Sequence, residues 1–214
     1  TLTASGTFNI MAPKYKLIYF DSRGRAEKVR LLFHVAGVEF EDTRVKREEW
    51  PALKDKMPQK QLPVLEIDGK TQLCQSMAIA RYLAREFKMY GKSSTEAFYI
   101  DEIIETVNDL SQSNLQAMFE KDEAKKAELM KKLVEEVIPR SFGFLDAQIK
   151  KYGKNGFAVG SEVSLADIII FNVTEAVKGR EAAEKFPNLK ENLKKTEEHP
   201  KIKKWLRERP KTEM

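Results

Sequence analysis

The sequence predicts a small α/β domain followed by an all-helical one, and three observations carry that expectation. Residues 14–87 alternate short strand-like and helix-like pieces. Residues 95–207 keep helical spacing almost throughout. A polar stretch containing Gly91, residues 88–94, lies between them. At 214 residues the chain is long enough for two small domains, divided here as 12–89 and 90–214. Residues 1–11 read as a tag remnant or disordered extension, because the sequence begins with Thr and Met11 looks like the natural start; Thr1–Ile10 carry no charge. A secretory signal would need a basic start and an apolar block.

Residues 14–20 form the first expected strand, with Tyr15, Leu17 and Tyr19 on one face by period two. Gly24 breaks it. Ala26, Val29, Phe33 and Ala36 then recur at helical spacing, with Gly37 as the stop. A second strand covers 40–45, and a short helical or irregular piece covers 48–57, with Pro51 near its start. Residues 64–67 and 71–74 make a hairpin across Asp68-Gly69. Ser76 is the expected N-cap of a helix running through Phe87. The β-α-β start requires parallel strands with a right-handed crossover. Adding an antiparallel hairpin and a helix gives the mixed sheet of a thioredoxin-like domain.

Past the linker, Ile100, Ile103, Ile104, Val107 and Leu110 mark one long helix. Leu129, Leu133, Val137 and Phe144 mark a second, which Pro139 is expected to kink or split. Ser164 and Asp167 fit a capping box, and Val163 and Ile168 fit its hydrophobic staple. The helix that follows is apolar all round, so a buried, folding role is expected.

Composition narrows the function classes. Hydrophobic residues make up 42%, as in a soluble globular core. No apolar run approaches the roughly 20 residues that span a bilayer. The net charge is +5, but acids interleave with the basic residues almost everywhere, as in E-K-D-E-A-K-K at 120–126. That is a solvated helix face and not a nucleic-acid reader. Cys74 is the only cysteine, which suits a reducing compartment and a cytoplasmic location. With His34 and His199 far apart, no zinc pattern exists.

Two devices for binding a small anionic peptide can be read directly. One is the set of free N–H groups at the helix start near Ser76. The other is the backbone of Leu62 before Pro63, which a cis bond would turn outward to pair with an extended peptide. About 95% of X–Pro bonds in folded proteins are trans, so the pattern leaves the isomer open.

The motifs in order are Y-K-L-I-Y-F at 15–20, R-G-R-A-E at 23–27, E-W-P at 49–51 with Lys54, Q-L-P-V-L at 61–65, and Q-S-M-A-I-A-R-Y-L at 75–83. Together they resemble sigma-class cytosolic glutathione transferases over about residues 12–210. The class includes invertebrate detoxifying enzymes, haematopoietic prostaglandin D synthase and the lens S-crystallins. The resemblance implies glutathione as co-substrate, a hydrophobic electrophile as second substrate, a homodimer, and no required cofactor or metal.

It further implies that Tyr19 is catalytic, its hydroxyl donating to the glutathione sulfur. A free cysteine thiol titrates near 8.5. A charge-assisted hydrogen bond contributes about 1.5–3 kcal/mol, roughly one to two pKa units, enough to make much of the sulfur thiolate. Without the flanking motifs Tyr19 would read as a core aromatic of the strand. Phe20 would line the electrophile pocket and Arg25 would sit beside the thiolate. Gln75 and Ser76 would hold the γ-glutamyl end. Leu62, beside Pro63, would pair with the cysteinyl backbone. Trp50, Lys54 and Gln61 would hold the glycyl end. Asp109 matches an aspartate that reaches across the dimer to the glutathione in the other subunit. Related proteins place a divalent ion near such carboxylates, an expectation that Asn108 weakens. Cys74 is expected to be a buried, small, apolar residue and not a nucleophile.

Two other readings share the scaffold. One, a lens S-crystallin, would not need every glutathione-side motif, and many S-crystallins carry an insertion where this chain joins Phe119 directly to Asp122. The other is a carrier of hydrophobic ligands without turnover, or a transferase-like module of a larger complex. Prostaglandin synthase activity is disfavoured, because Gln116 stands near the position of that enzyme's tryptophan.

Overall fold

The computed structural model describes residues 12–212; the expected extension at residues 1–11 lies outside them. Four strands form one sheet: β1 (Tyr15–Phe20), β2 (Phe40–Val45), β3 (Val64–Ile67) and β4 (Thr71–Cys74), in the order β2-β1-β3-β4. β1 and β2 are parallel, with Tyr19 opposite Arg44. β3 is antiparallel to both β1 and β4. The hairpin closes through Asp68 (φ 55°) and Gly69 (φ 67°). Both central residues of the turn sit at positive φ, the geometry that matches strand twist.

Helix α1 (Glu27–Ala36) makes the crossover and stops at Gly37, whose φ of 71° suits a residue without Cβ. α2 (Trp50–Leu53) and two short 3-10 turns occupy the irregular stretch before β3. α3 (Ser76–Glu86) ends one residue earlier than expected. Its N-cap is Gln75 and not Ser76, which is already the first helical residue. Gln75 holds φ 72°, ψ 108°, and that turn into the helix displaces the cap by one position.

The helical region begins with α4 (Ser94–Phe119), capped by Ser93, whose hydroxyl accepts from the Glu96 N–H. The predicted stripe Ile100, Ile103, Ile104, Val107 and Leu110 is buried throughout. α5 (Glu123–Lys132) leads through a π-helical segment, Leu133–Val137, into α6 (Ile138–Tyr152). Here the sequence stripe needs correction. Leu133 and Val137 are buried, but Phe144 is 57% exposed, and Phe142, Leu145 and Ile149 face the core instead. The wide π turn adds a residue just before Pro139 and rotates everything after it, so the buried face advances by one position. α7 (Leu165–Ala176), α8 (Arg180–Ala183), α9 (Pro187–Glu198) and α10 (Pro200–Glu208) complete the chain. α7 is buried along most of its length, and α1 packs against α3, α7 and α10, joining the two regions. Among the described residues no helix is long and apolar enough to cross a membrane.

Candidate active site

Tyr19 lies next to last in β1, and its side chain is largely buried. Its hydroxyl oxygen accepts a hydrogen bond from the Arg25 backbone N–H at 3.0 Å. That contact uses an acceptor lone pair and leaves the phenolic hydrogen available for a partner. The loop that provides it must come very close. Gly24, at φ 38°, lies so near that a Cβ there would sit 2.6 Å from the Tyr19 hydroxyl. A glycine is required at this position by both its backbone angle and its space.

Beside this loop is a cleft lined by Arg25, Gln59, Gln61, Leu62, Pro63, Cys74, Gln75 and Ser76. Six of these were expected from sequence, and they come from three separate segments of the α/β region. The Leu62–Pro63 bond is cis, and Leu62 lies two residues before the ladder that begins at Val64. Gln75 is exposed, and its side-chain amide donates to the Gln59 Oε1 at 2.8 Å. A non-glycine residue at positive φ is held at a cost of order 1–3 kcal/mol, and such residues concentrate at ligand-binding positions. α3 starts here with no side-chain cap bond. The N–H groups of its first turn therefore keep their capacity for an anion.

Phe20 and Trp50 form an edge-to-face pair with ring centroids 5.4 Å apart, and Phe20 makes a second such contact with Tyr19 at 5.6 Å. Lys54 is exposed and makes no ion pair among the described residues. Tyr19, Phe20, Trp50 and Lys54 stand outside the cleft lining, as does Asp109, which is exposed on α4. Glu105, also on α4, is engaged by Arg81 at 2.7 Å and by Asn108 at 3.0 Å. These donors hold its carboxyl below the usual range, the Asn108 amide first. Among the described residues no three His, Cys, Asp or Glu side chains are grouped to hold a metal.

Two residues of the cleft differ from expectation. Cys74 is only half-buried and forms part of the wall, because β4 is the edge strand and its last residue opens toward the cleft. Burial pushes its thiol upward, away from thiolate character. Gln59 was not anticipated. It lies at φ 55° in the 3-10 turn before β3, and a positive-φ glutamine there has no sequence signature.

The comparisons agree with this geometry. Profiles of the glutathione S-transferase N-terminal and C-terminal domains match residues 15–85 and 108–209. Glutathione S-transferase 1 of Ascaris suum is 40% identical, covering 94% of this chain and 98% of its own length. S-crystallin SL11 of Nototodarus sloanii is 38% identical over the same shares. The crystal structure of a monomeric glutathione S-transferase from the hookworm Necator americanus superposes with a TM-score of 0.85 at 36% identity, covering 94% of this chain and all of that one. With an α/β region that builds the cleft, a helical region packed on α1, and both domain profiles matched, the chain belongs to the glutathione S-transferase family.

Proposed function

We propose that this chain is a sigma-type glutathione transferase that conjugates glutathione to hydrophobic electrophiles, a detoxifying reaction, in the cytoplasm. The observation that carries the reading is the Tyr19 hydroxyl, which accepts from the N–H of Arg25, a residue of the cleft wall, and keeps its own hydrogen free. A glutathione sulfur placed against that hydrogen gains a charge-assisted bond, which favours the thiolate. The thiolate then attacks the electrophilic carbon, forming a C–S bond as the leaving group departs or the adjacent unsaturated bond takes up the electron pair.

In this reading the Ser76 hydroxyl and the first N–H groups of α3 hold the γ-glutamyl carboxylate, with Gln75 beside them. The Leu62 backbone, set by Pro63, pairs with the cysteinyl unit. Trp50, Lys54 and Gln61 take the glycyl end, Lys54 supplying a point charge. Arg25 adds positive potential near the sulfur, and Phe20 borders the electrophile. Asp109 of the partner subunit completes the amine end in a homodimer. The two domains divide near residues 89 and 90. No metal or further cofactor takes part.

The S-crystallin likeness keeps a second reading open to test. Turnover of glutathione with chlorodinitrobenzene, measured alongside calorimetric glutathione binding, separates them. Turnover supports the enzyme, and binding without turnover rejects it in favour of a lens protein or carrier. Light scattering tests Asp109: a monomer with full conjugating activity contradicts the shared site.

A further inference from the structure

Arg30 is a fully buried arginine on α1. Replacing a buried ion pair by apolar residues is often neutral or stabilising, so stability alone is a weak reason for an arginine there. Its partners suggest another. Nη1 donates to the Ser22 carbonyl at 2.8 Å and to the Arg23 carbonyl at 3.4 Å. Nε donates to both Asp42 carboxylate oxygens at 3.1 Å. The planar guanidinium thus ties the loop after β1 to strand β2. Ser22 and Arg23 immediately precede Gly24 and Arg25, the two residues that enclose the Tyr19 hydroxyl.

Glu27 extends the chain of contacts in the other direction. Its side chain is almost completely buried, and its Oε2 lies 3.5 Å from Arg30 Nη1. Its Oε1 accepts from Trp205 Nε1 and from Arg209 Nη1, each at 2.9 Å. Trp205 belongs to α10 and Arg209 follows it, some 180 positions along the chain. Arg209 also reaches toward Glu175 on α7 at 3.9 Å. A continuous series of charged contacts therefore runs from the end of the helical region, through Glu27 and Arg30, to the loop that holds Tyr19.

We infer that Glu27 and Arg30 are positioning residues for the thiolate chemistry, and that Trp205 and Arg209 make the C-terminal segment part of the support of the Tyr19 hydroxyl. This rests on the reading of Tyr19 given above. The loop passes so close to that hydroxyl that a Cβ on Gly24 would sit 2.6 Å from it, so loosening the loop's anchor changes the Arg25-to-Tyr19 bond directly. None of these four side chains lines the glutathione cleft, so the inference predicts an effect on sulfur ionisation more than on affinity.

Arg209→Gln tests it. The side chain lies at the edge of the network, 16% exposed, and keeps hydrogen-bonding capacity. The bound glutathione thiol is titrated by its ultraviolet thiolate absorbance, with kcat and KM measured in parallel and Tyr19→Phe as the reference. The expected result is a glutathione KM within about twofold of the parent. The bound thiol should ionise about half a unit higher in pH, a roughly threefold loss of kcat at pH values below its midpoint. Arg209→Lys, which keeps the charge, should recover part of the loss. If Arg209→Gln fails to fold, Trp205→Phe removes the indole donor while keeping an aromatic ring and serves the same measurement. A variant that loses thermal stability while its bound thiol ionises at the parent pH overturns the inference. If Tyr19→Phe also leaves that ionisation unchanged, the underlying reading of Tyr19 fails as well; if Tyr19→Phe shifts it, only the network is refuted.

Discussion

The starts of α3 and α7 are both helix N-termini, and they are finished in opposite ways. At α7 the protein closes its own polar groups. Ser164 and Asp167 form a full capping box, and Asp167 accepts from the Ser164 N–H and hydroxyl, the Ala158 N–H and the Asn192 amide, at 2.6 to 2.8 Å. Burial pushes this carboxyl upward while those four donors pull it back. At α3 the cap is an exposed glutamine at positive φ with no capping bond, facing a cleft. One start is satisfied from within and serves folding. The other is left open and can be satisfied from outside.

Removing the closed cap should have the largest effect on stability. Asp167→Ala strands several buried donors, each costing about 1–3 kcal/mol, so a loss of about 4 kcal/mol in urea unfolding is expected. Glutathione affinity of the remaining folded fraction should not change. Next in size is Tyr19→Phe, which on the proposed reading removes one hydrogen bond to the glutathione thiolate. A fall in kcat of about 10–100-fold follows from the roughly 1.5–3 kcal/mol of such a bond, with glutathione affinity close to the parent.

A sharper test of the contrast is Gln75→Gly. Glycine relieves the positive φ, so stability should rise by about 0.5–1 kcal/mol. Losing the side chain should weaken glutathione binding about threefold to tenfold, as expected for one net hydrogen bond. The corresponding change at the closed cap, Ser164→Ala, should only destabilise. Opposite signs of stability change at the two sites would establish the contrast, and equal signs would break it.

The smallest effect is on pH dependence. His34 stacks on Trp205 at 4.2 Å, and burial holds its pKa below the ordinary value. The unfolded chain takes up a proton near pH 6.5 that the folded ring resists. Stability should therefore fall as pH drops from about 6.5 through the folded pKa, and level off below it. Urea midpoints between pH 7.5 and 5 should show a shallower decline in His34→Phe than in the parent.

Much of this was legible in the sequence. Strand alternation, the Asp68-Gly69 turn, Gly37 as a stop and the Ser164–Asp167 spacing are local signals, each decided by residues a few positions apart. All four strands fell within one residue of their expected bounds for that reason. Where a signal depended on geometry accumulated along the chain, it failed. The π segment at Leu133–Val137 rotated Phe144 out of the core, and no residue type marks a π turn. The cap of α3 moved to Gln75 because its backbone angle is set by how the chain leaves edge strand β4.

The sequence by itself determined the order of elements through α3, the core stripe of α4 and, through its ordered motifs, six of the eight residues that line the cleft. Those depend on nearest-neighbour sterics, periodicity and motif spacing. Only the tertiary structure decided that the Tyr19 hydroxyl accepts from the Arg25 N–H, that Gln59 and Cys74 join the cleft, and that Glu27 ties Arg209 to the same loop. Such contacts join residues up to 182 positions apart. Their partners are chosen by packing α10 against α1, and no local pattern records that choice.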